Sequence, residues 1–250
     1  MKSNDVIIAK IGGKILEVPE NLNSTIIQLK SLLNEHNKIS KIILIPGGGS
    51  LANFIRYLDK KINLGDDLAH WSAIYAMEFN GMKICKQIPE IKCNNDFKNL
   101  VQFTEAENKQ ELCVFLPYKY LKKNDELAHS WDITSDSIAV YVAHKLNLNA
   151  CFLIKNVDGI YLKNKSQVVK EIRTTDYIHL ELSTNMENDR WIPESIKKSK
   201  PVDSNLTKLI DLYKIPCILL NGTKEKNRII DFFDKTKPEK EKVYTKITCF

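Results

Sequence analysis

Apolar residues recur along this chain at two alternating spacings. Val6-Ile7-Ile8-Ala9 is a short unbroken apolar run that ends at Lys10 and Gly12-Gly13, as a buried strand running into a tight turn would. Leu22, Ile26, Leu29 and Leu33 then follow at helical spacing and predict an amphipathic helix over 21–34. Lys41 to Ile45 repeats the strand pattern and is stopped by Pro46-Gly47-Gly48-Gly49, after which 51–61 returns to a helical period. Leu68, Trp71, Tyr75, Phe79 and Met82 mark a third helix over 68–85. Residues 88–110 are polar and irregular and receive no assignment. A strand over 112–116, a helix over 134–146 and a strand over 151–154 follow. Val168-Val169 suggests a short strand, and 173–200 is polar and expected to be partly mobile. The pattern closes with a helix at 206–213, a strand at 217–220, a helix at 229–233 and a strand at 243–248.

Buried strands alternating with amphipathic helices predict a mostly parallel sheet covered on both faces, an α/β fold within one domain spanning 1–250. Ligands of such sheets sit at the carboxyl ends of the strands. The conspicuous polar and glycine residues fall there: Lys10 to Gly13, Gly47 to Gly49, and Lys155 to Gly159.

Composition narrows the class. The chain has 250 residues, 43% of them hydrophobic, which suffices for one ordinary core. No apolar run approaches the roughly 20 residues of a membrane span, and the first ten residues lack a signal-peptide pattern, so a cytoplasmic protein with no membrane partner is expected. The six cysteines form no C-x-x-C pair and read as reduced thiols rather than disulfides or a zinc site. The net charge of +6 is spread thinly and no aromatic ladder accompanies it, which argues against nucleic acid.

The polar stretches each carry two readings. Gly12-Gly13 opens backbone N–H groups toward a phosphate, or is a plain turn; no Walker motif is present. Lys10 could bridge the same phosphates as a point charge. Gly47-Gly48-Gly49 has one glycine more than a turn requires, and the third suggests close approach of a ligand at the start of a helix. Arg56 could reach that anion or merely decorate the helix surface. Thr134 to Ser137 could be helix capping, but a cap explains one residue and not Ser130, Asp132, Thr134, Ser135, Asp136 and Ser137 together. Asp136 could hold lysines in register or approach Mg²⁺. Lys155-Asn156-Val157-Asp158-Gly159 is a nucleotide stretch or a β-turn.

Taken in order and spacing, Lys10-Ile-Gly-Gly, Pro46-Gly-Gly-Gly-Ser, Thr134-Ser-Asp-Ser and Lys155-Asn-Val-Asp-Gly-Ile-Tyr resemble the amino-acid kinase family over nearly the whole chain. The resemblance implies a three-layer α/β/α sandwich, ATP and Mg²⁺ as cofactors, and a homo-oligomer, a dimer or higher. It implies catalytic roles for Lys10 and Asp136, and nucleotide contacts from Gly12, Gly13, Lys155, Asp158, Gly159 and Tyr161. Gly47, Gly48, Gly49, Arg56, Asp132 and Asp203 would meet the acceptor, and no residue is assigned as a metal ligand. The stretches 69–77, 129–139 and 201–203 are similar to kinases of methanofuran biosynthesis, which phosphorylate an aminomethylfuran methyl phosphate to its diphosphate. Asp132 and Asp203 would then face the acceptor's amine.

Three departures qualify the pattern. Lys14 stands where the family usually has Ser. No histidine follows the second glycine turn, against an isopentenyl phosphate acceptor. The late lysine of acetylglutamate kinases has no clear match among Lys197, Lys198 and Lys200, against an acyl phosphate product. His70 and His129 read as acceptor-facing or as ordinary core or surface histidines. Uridylate or another nucleoside monophosphate, or a carboxylate, is the rival acceptor, and a non-catalytic nucleotide- or oxyanion-binding protein the rival class.

Overall fold

The computed structural model describes residues 5–33, 39–106, 110–124, 126–161, 167–178, 201–203 and 205–249. Its eight strands are β1 (Val6–Ile11), β2 (Lys41–Pro46), β3 (Lys92–Asn94), β4 (Glu111–Phe115), β5 (Cys151–Lys155), β6 (Glu171–Arg173), β7 (Cys217–Asn221) and β8 (Thr245–Thr248). They form one sheet in the order β3-β4-β2-β1-β5-β7-β8-β6. The strands from β3 to β7 in that order run parallel; β8 is antiparallel to β7, and β6 runs parallel to β8. Helices flank them, among them α1 (Gly13–Leu16), α2 (Pro19–Ser31), α3 (Gly49–Ile62), α4 (Asp66–Gln87), α5 (Phe97–Glu105), α6 (Tyr118–Lys123), α7 (Ser135–Lys145), α8 (Leu206–Tyr213) and α9 (Arg228–Phe233).

The central strands are buried almost end to end, so neighbours in sequence must serve opposite faces. Ile8, Ile43, Cys113, Leu153 and Leu219 join one apolar cluster with Ile138 and Tyr141 of α7, Ile74 and Met77 of α4, and Ile210 of α8. Ile7, Ala9, Leu44, Val114, Ile154 and Leu220 join the other, with Ile15 of α1, Leu22 to Leu29 of α2 and Ile229 of α9. The result is the α/β/α sandwich that the periodicity implies.

This alternation also places the polar strand ends. Lys10 has the parity of Ile8 and Lys155 that of Cys151 and Leu153, so both lysines face the α7 layer. The register pairs Lys10 with Leu153, leaving Lys155 two residues further along the adjacent strand. α7 begins at that edge, with Asp136 in its first turn.

Several expectations are revised. The unassigned stretch 88–110 holds β3 and α5. Asp96 starts α5 by accepting hydrogen bonds from the N–H of Lys98 (2.8 Å) and Asn99 (3.3 Å), an N-cap that an irregular apolar pattern hides. Val168 makes only an isolated bridge to Tyr161, and the strand of that region is β6, three residues later. Cys85 and Cys93 are joined by a disulfide. The chain turns back between α4 and β3 and brings their Cα atoms to 6.1 Å, a proximity that an eight-residue spacing does not announce. Cys113, Cys151, Cys217 and Cys249 are free. Of the residues that marked the third helix, Leu68, Tyr75, Phe79 and Met82 form its exposed side and only Trp71 is buried. The buried side of α4 carries small residues, Ala69, Ala76 and Gly81, beside His70, Trp71, Ile74, Met77 and Ile84. The polar stretch from 179 to 200, with Lys197, Lys198 and Lys200, lies outside the described residues.

Candidate active site

At the carboxyl edge of β1 and β5, Lys10 Nζ lies 2.7 Å from Asp136 Oδ1, and Lys155 Nζ lies 2.6 Å from Asp136 Oδ2. One carboxylate therefore bridges two ammonium groups. Lys10 is 4% exposed and Asp136 2%. Burial pushes the Lys10 ammonium down to about 8; the attraction of Asp136 opposes this and the charge of Lys155 adds to it. Burial alone would raise the Asp136 carboxyl, but the two lysines outweigh it and hold the group at about 2. At neutral pH Lys10 and Asp136 are both charged, and two lysine side chains share one carboxylate in a nearly dry setting. That is an anion site by electrostatics alone.

Two glycine turns stand beside it. Gly12 N–H donates to Ile154 O and Gly47 N–H to Ile11 O, both at 2.8 Å, so each turn continues the sheet before its helix starts. The turns touch. A Cβ on Gly13 would lie 2.6 Å from Gly49 Cα, and Gly49 itself has φ +57°. Glycine is thus required at 13 by the other turn and favoured at 49 by its own left-handed backbone, whereas the sequence suggests a ligand as the approaching body. The first N–H groups of α1 and α3 lack intrahelical partners, and among them that of Ser50 is taken by Glu17.

A match to the model of the amino acid kinase family covers residues 5–221. The chain belongs to the amino acid kinase family. It is 31% identical over 240 residues to the [5-(aminomethyl)furan-3-yl]methyl phosphate kinase of Methanocaldococcus jannaschii, with 96% of each chain covered. It is 24% identical to the uridylate kinase of Methanococcus vannielii, covering 88% of this chain and 91% of that one. Among solved structures, the uridylate kinase of Archaeoglobus fulgidus superposes with a TM-score of 0.64 at 18% identity, covering 98% of this chain and 100% of that one. That likeness is one of fold.

Against the residues that the family resemblance singles out, the structure brings Lys10, Lys155 and Asp136 into contact and sets Gly12, Gly13, Gly47, Gly48 and Gly49 at their edge. Asp158 accepts hydrogen bonds from Asn221 Nδ2 (3.0 Å) and Arg228 Nε (3.2 Å), which ties the 156–161 turn to the end of β7 and the start of α9. Its carboxyl is lowered: burial opposes, and Arg228 with Asn221 prevails. A Cβ on Gly159 would meet Val168 and Thr245 within 2.5 Å, and Tyr161 is exposed. Arg56 is no simple surface residue. Its guanidinium stacks 4.6 Å over the Trp131 ring, and its buried Nε has no hydrogen-bond partner among the described residues. Asp132, on the same loop, is exposed and acts on Arg56 by charge.

Asp203 does not project free toward an acceptor. It receives hydrogen bonds from the backbone N–H and hydroxyl of both Thr134 and Ser137. His70 is buried and stacks on His129, whose Nδ1 lies 2.5 Å from Asp67 Oδ1, so both histidines belong to a ring cluster with Trp71.

Three contributors escape a reading of the sequence. Glu17 Oε1 accepts from Ser50 N–H (2.6 Å) and Ser50 Oγ (2.5 Å), tying the end of α1 to the start of α3. Its Oε2 lies 3.8 Å from Lys14 Nζ. The unusual Lys14 thus leans on Glu17, a pairing that the i, i+3 spacing signals. Asn80 Nδ2 donates to Gly47 O at 2.7 Å, and Asp59 Oδ2 accepts from Trp131 Nε1 at 2.8 Å. Neither partner is near in sequence, and no local pattern announces them.

Proposed function

We propose that the protein transfers the γ-phosphoryl group of ATP to the phosphate of a small, amine-bearing phosphate monoester, forming a diphosphate and ADP. The observation that carries this reading is that both oxygens of the buried Asp136 carboxylate are taken, one by Lys10 and one by Lys155. A carboxyl held at about 2 by two lysines is a poor general base, so the site suits a nucleophile that is already an anion. A phosphate monoester or a carboxylate is one; an alcohol is not, and between the first two the similarity to phosphate-monoester kinases favours the phosphate. An acceptor phosphate oxygen attacks the γ-phosphorus, its bond to the bridging oxygen breaks, and ADP departs without a proton being taken from the acceptor. Lys10 and Lys155 offset the charge of the transferring group, Asp136 fixes both, and the N–H groups at the two glycine turns orient the phosphates. The 156–161 turn, with Lys155, Asp158, Gly159 and Tyr161, takes the nucleotide side.

Asp136 is taken up by both lysines, and no group of three or more metal-ligating side chains occurs among the described residues. Mg²⁺ would therefore be held chiefly by the phosphates of ATP, where it neutralises charge.

For the acceptor, Arg56 against Trp131 supplies a cation for its phosphate, with Gly48 and Gly49 beside it, and Asp132 a carboxylate for its amine. The similarity to the aminomethylfuran methyl phosphate kinase supports that chemistry. Uridylate is the second reading, favoured by the uridylate kinase relative. We further infer a cytoplasmic protein that pairs with a second copy. No helix among the described residues is long and apolar enough to cross a membrane.

The test is a transfer assay with [5-(aminomethyl)furan-3-yl]methyl phosphate and with UMP, on the wild type and Lys10→Ala. Diphosphate forms from the furan ester, and the substitution lowers kcat by about 100-fold or more while ATP still binds. Undiminished transfer by Lys10→Ala refutes the assignment of Lys10, and transfer to UMP alone refutes the acceptor.

A further inference from the structure

The first turn of α7 presents Asp136 to the two lysines, and that turn is held from outside its own helix. Asp203 reaches it from 66 residues beyond Ser137. Asp203 Oδ2 accepts hydrogen bonds from Thr134 N–H (3.1 Å), Thr134 Oγ1 (2.7 Å) and Ser137 N–H (3.1 Å), and Oδ1 accepts from Ser137 Oγ at 2.8 Å. Thr134 Oγ1 in turn accepts from Asp136 N–H at 3.3 Å. The hydroxyl proton of Thr134 is committed to Asp203, so its lone pairs face the Asp136 amide. Asp136 is bracketed, one tethered residue on each side.

The arrangement is costly enough to require a reason. Two carboxylates are buried near one another, and burial, then the charge of Asp136, raises the Asp203 carboxyl. An ordinary helix cap satisfies one or two N–H groups from the residue next to the helix. Here Thr134 already serves as that cap, and a second, distant carboxylate is added behind it. The neighbouring Val202 is buried, and Leu206 N–H meets Asp203 O at 3.4 Å, so the carboxylate is carried on the start of α8.

We propose that Asp203 is a positioning residue. It sets the rotation of the first turn of α7, and through it the aim of the Asp136 carboxylate at Lys10 and Lys155, and it does not contact the acceptor. This rests on the catalytic reading of the cluster.

Asp203→Asn is the direct test, because asparagine keeps the size but replaces acceptor capacity with an NH₂ that faces donors. kcat falls by about 100-fold, as a displacement of about 1 Å does, and KM for ATP and for the furan ester stay near wild type. The double variant Asp203→Asn/Ser137→Ala is no worse than Asp203→Asn alone, since both act through one tie. Amide hydrogen exchange at residues 134–138 accelerates in Asp203→Asn. A raised acceptor KM with kcat preserved places Asp203 on the acceptor and overturns the proposal. So do losses that multiply in the double variant, or unchanged exchange. Should Asp203→Asn not fold, Thr134→Val must lower kcat and Thr134→Ser must regain most of it; equal effects refute the tie. A wild type inactive on both phosphate esters refutes the catalytic reading, and the exchange measurement then decides the tie by itself.

Discussion

Lys10 is charged at neutral pH by a narrow margin. Burial drives its ammonium from 10.5 to about 8, and Asp136 alone keeps it from falling further. A cation is what the transferring phosphoryl group needs, so activity follows the protonated fraction and declines as pH rises through about 8. The quantity that reports the free enzyme is kcat/KM for ATP. It should be level from pH 6.5 to about 7.5 and fall beyond, and in Lys10→Arg, slower overall, the alkaline fall should vanish because guanidinium stays charged. An alkaline limb that persists in Lys10→Arg assigns the ionisation elsewhere. Asp136 governs the acid side through stability. Its folded-state value of about 2 lies below the ordinary 3.8, so its contribution is complete above 3.8 and is lost as pH falls toward 2.

The two glycine turns show how elements, rather than residues, make the cradle. α1 and α3 start from adjacent parallel strands, and their first residues meet backbone to backbone at Gly13 and Gly49. Gly13→Ala tests this. Alanine has the better helix propensity by about 1 kcal/mol, but its Cβ would meet the Gly49 Cα at 2.6 Å, and backbone cannot step aside as a side-chain tip can. Overpacking of this kind costs about 1–3 kcal/mol. The expected result is a lower Tm together with a lower kcat, since the turns separate where phosphates are held. A stabilised and fully active variant would show that the contact is slack. The same scale explains what could be read from the sequence. Strands buried on both faces and most helices longer than two turns declare themselves by period, α5 being the exception, while Lys10, Asp136 and Lys155 stand out as charged residues at strand ends and a helix start. β3, β6 and α6 are too short for a period to register. The hydrogen bonds of Asp203, Glu17 and Asp59 have no sequence signal for a different cause: each runs to a partner on another element, 33 to 72 residues away.

At the scale of the whole molecule, α3 poses a problem that one copy does not solve. It runs for 14 residues without a fully buried side chain, yet isolated helices of that length are marginal in water. Leu51, Phe54, Tyr57 and Ile62 on α3 are exposed, and Leu68, Tyr75, Phe79 and Met82 are exposed on α4, which packs beside it. On α4 the stripe falls at steps of seven, four and three, so it lies on one side of the helix. Apolar surface so concentrated marks an interaction face, and the second copy proposed above would present the same face in return. α3 also carries Gly49, Arg56 and Asp59, so pairing would stiffen the acceptor side of the site. Sedimentation should find a dimer for the wild type and a monomer for Phe54→Glu/Phe79→Glu. Specific activity of the wild type should drop on dilution at the concentrations where the dimer parts, with KM for the acceptor rising and KM for ATP little changed, because the nucleotide contacts proposed above lie on β1, β5 and the 156–161 turn. A wild type that sediments as a monomer at every concentration, or a charged variant that remains dimeric, refutes this face as the dimer seam and leaves α3 held by α4, Glu17 and Trp131.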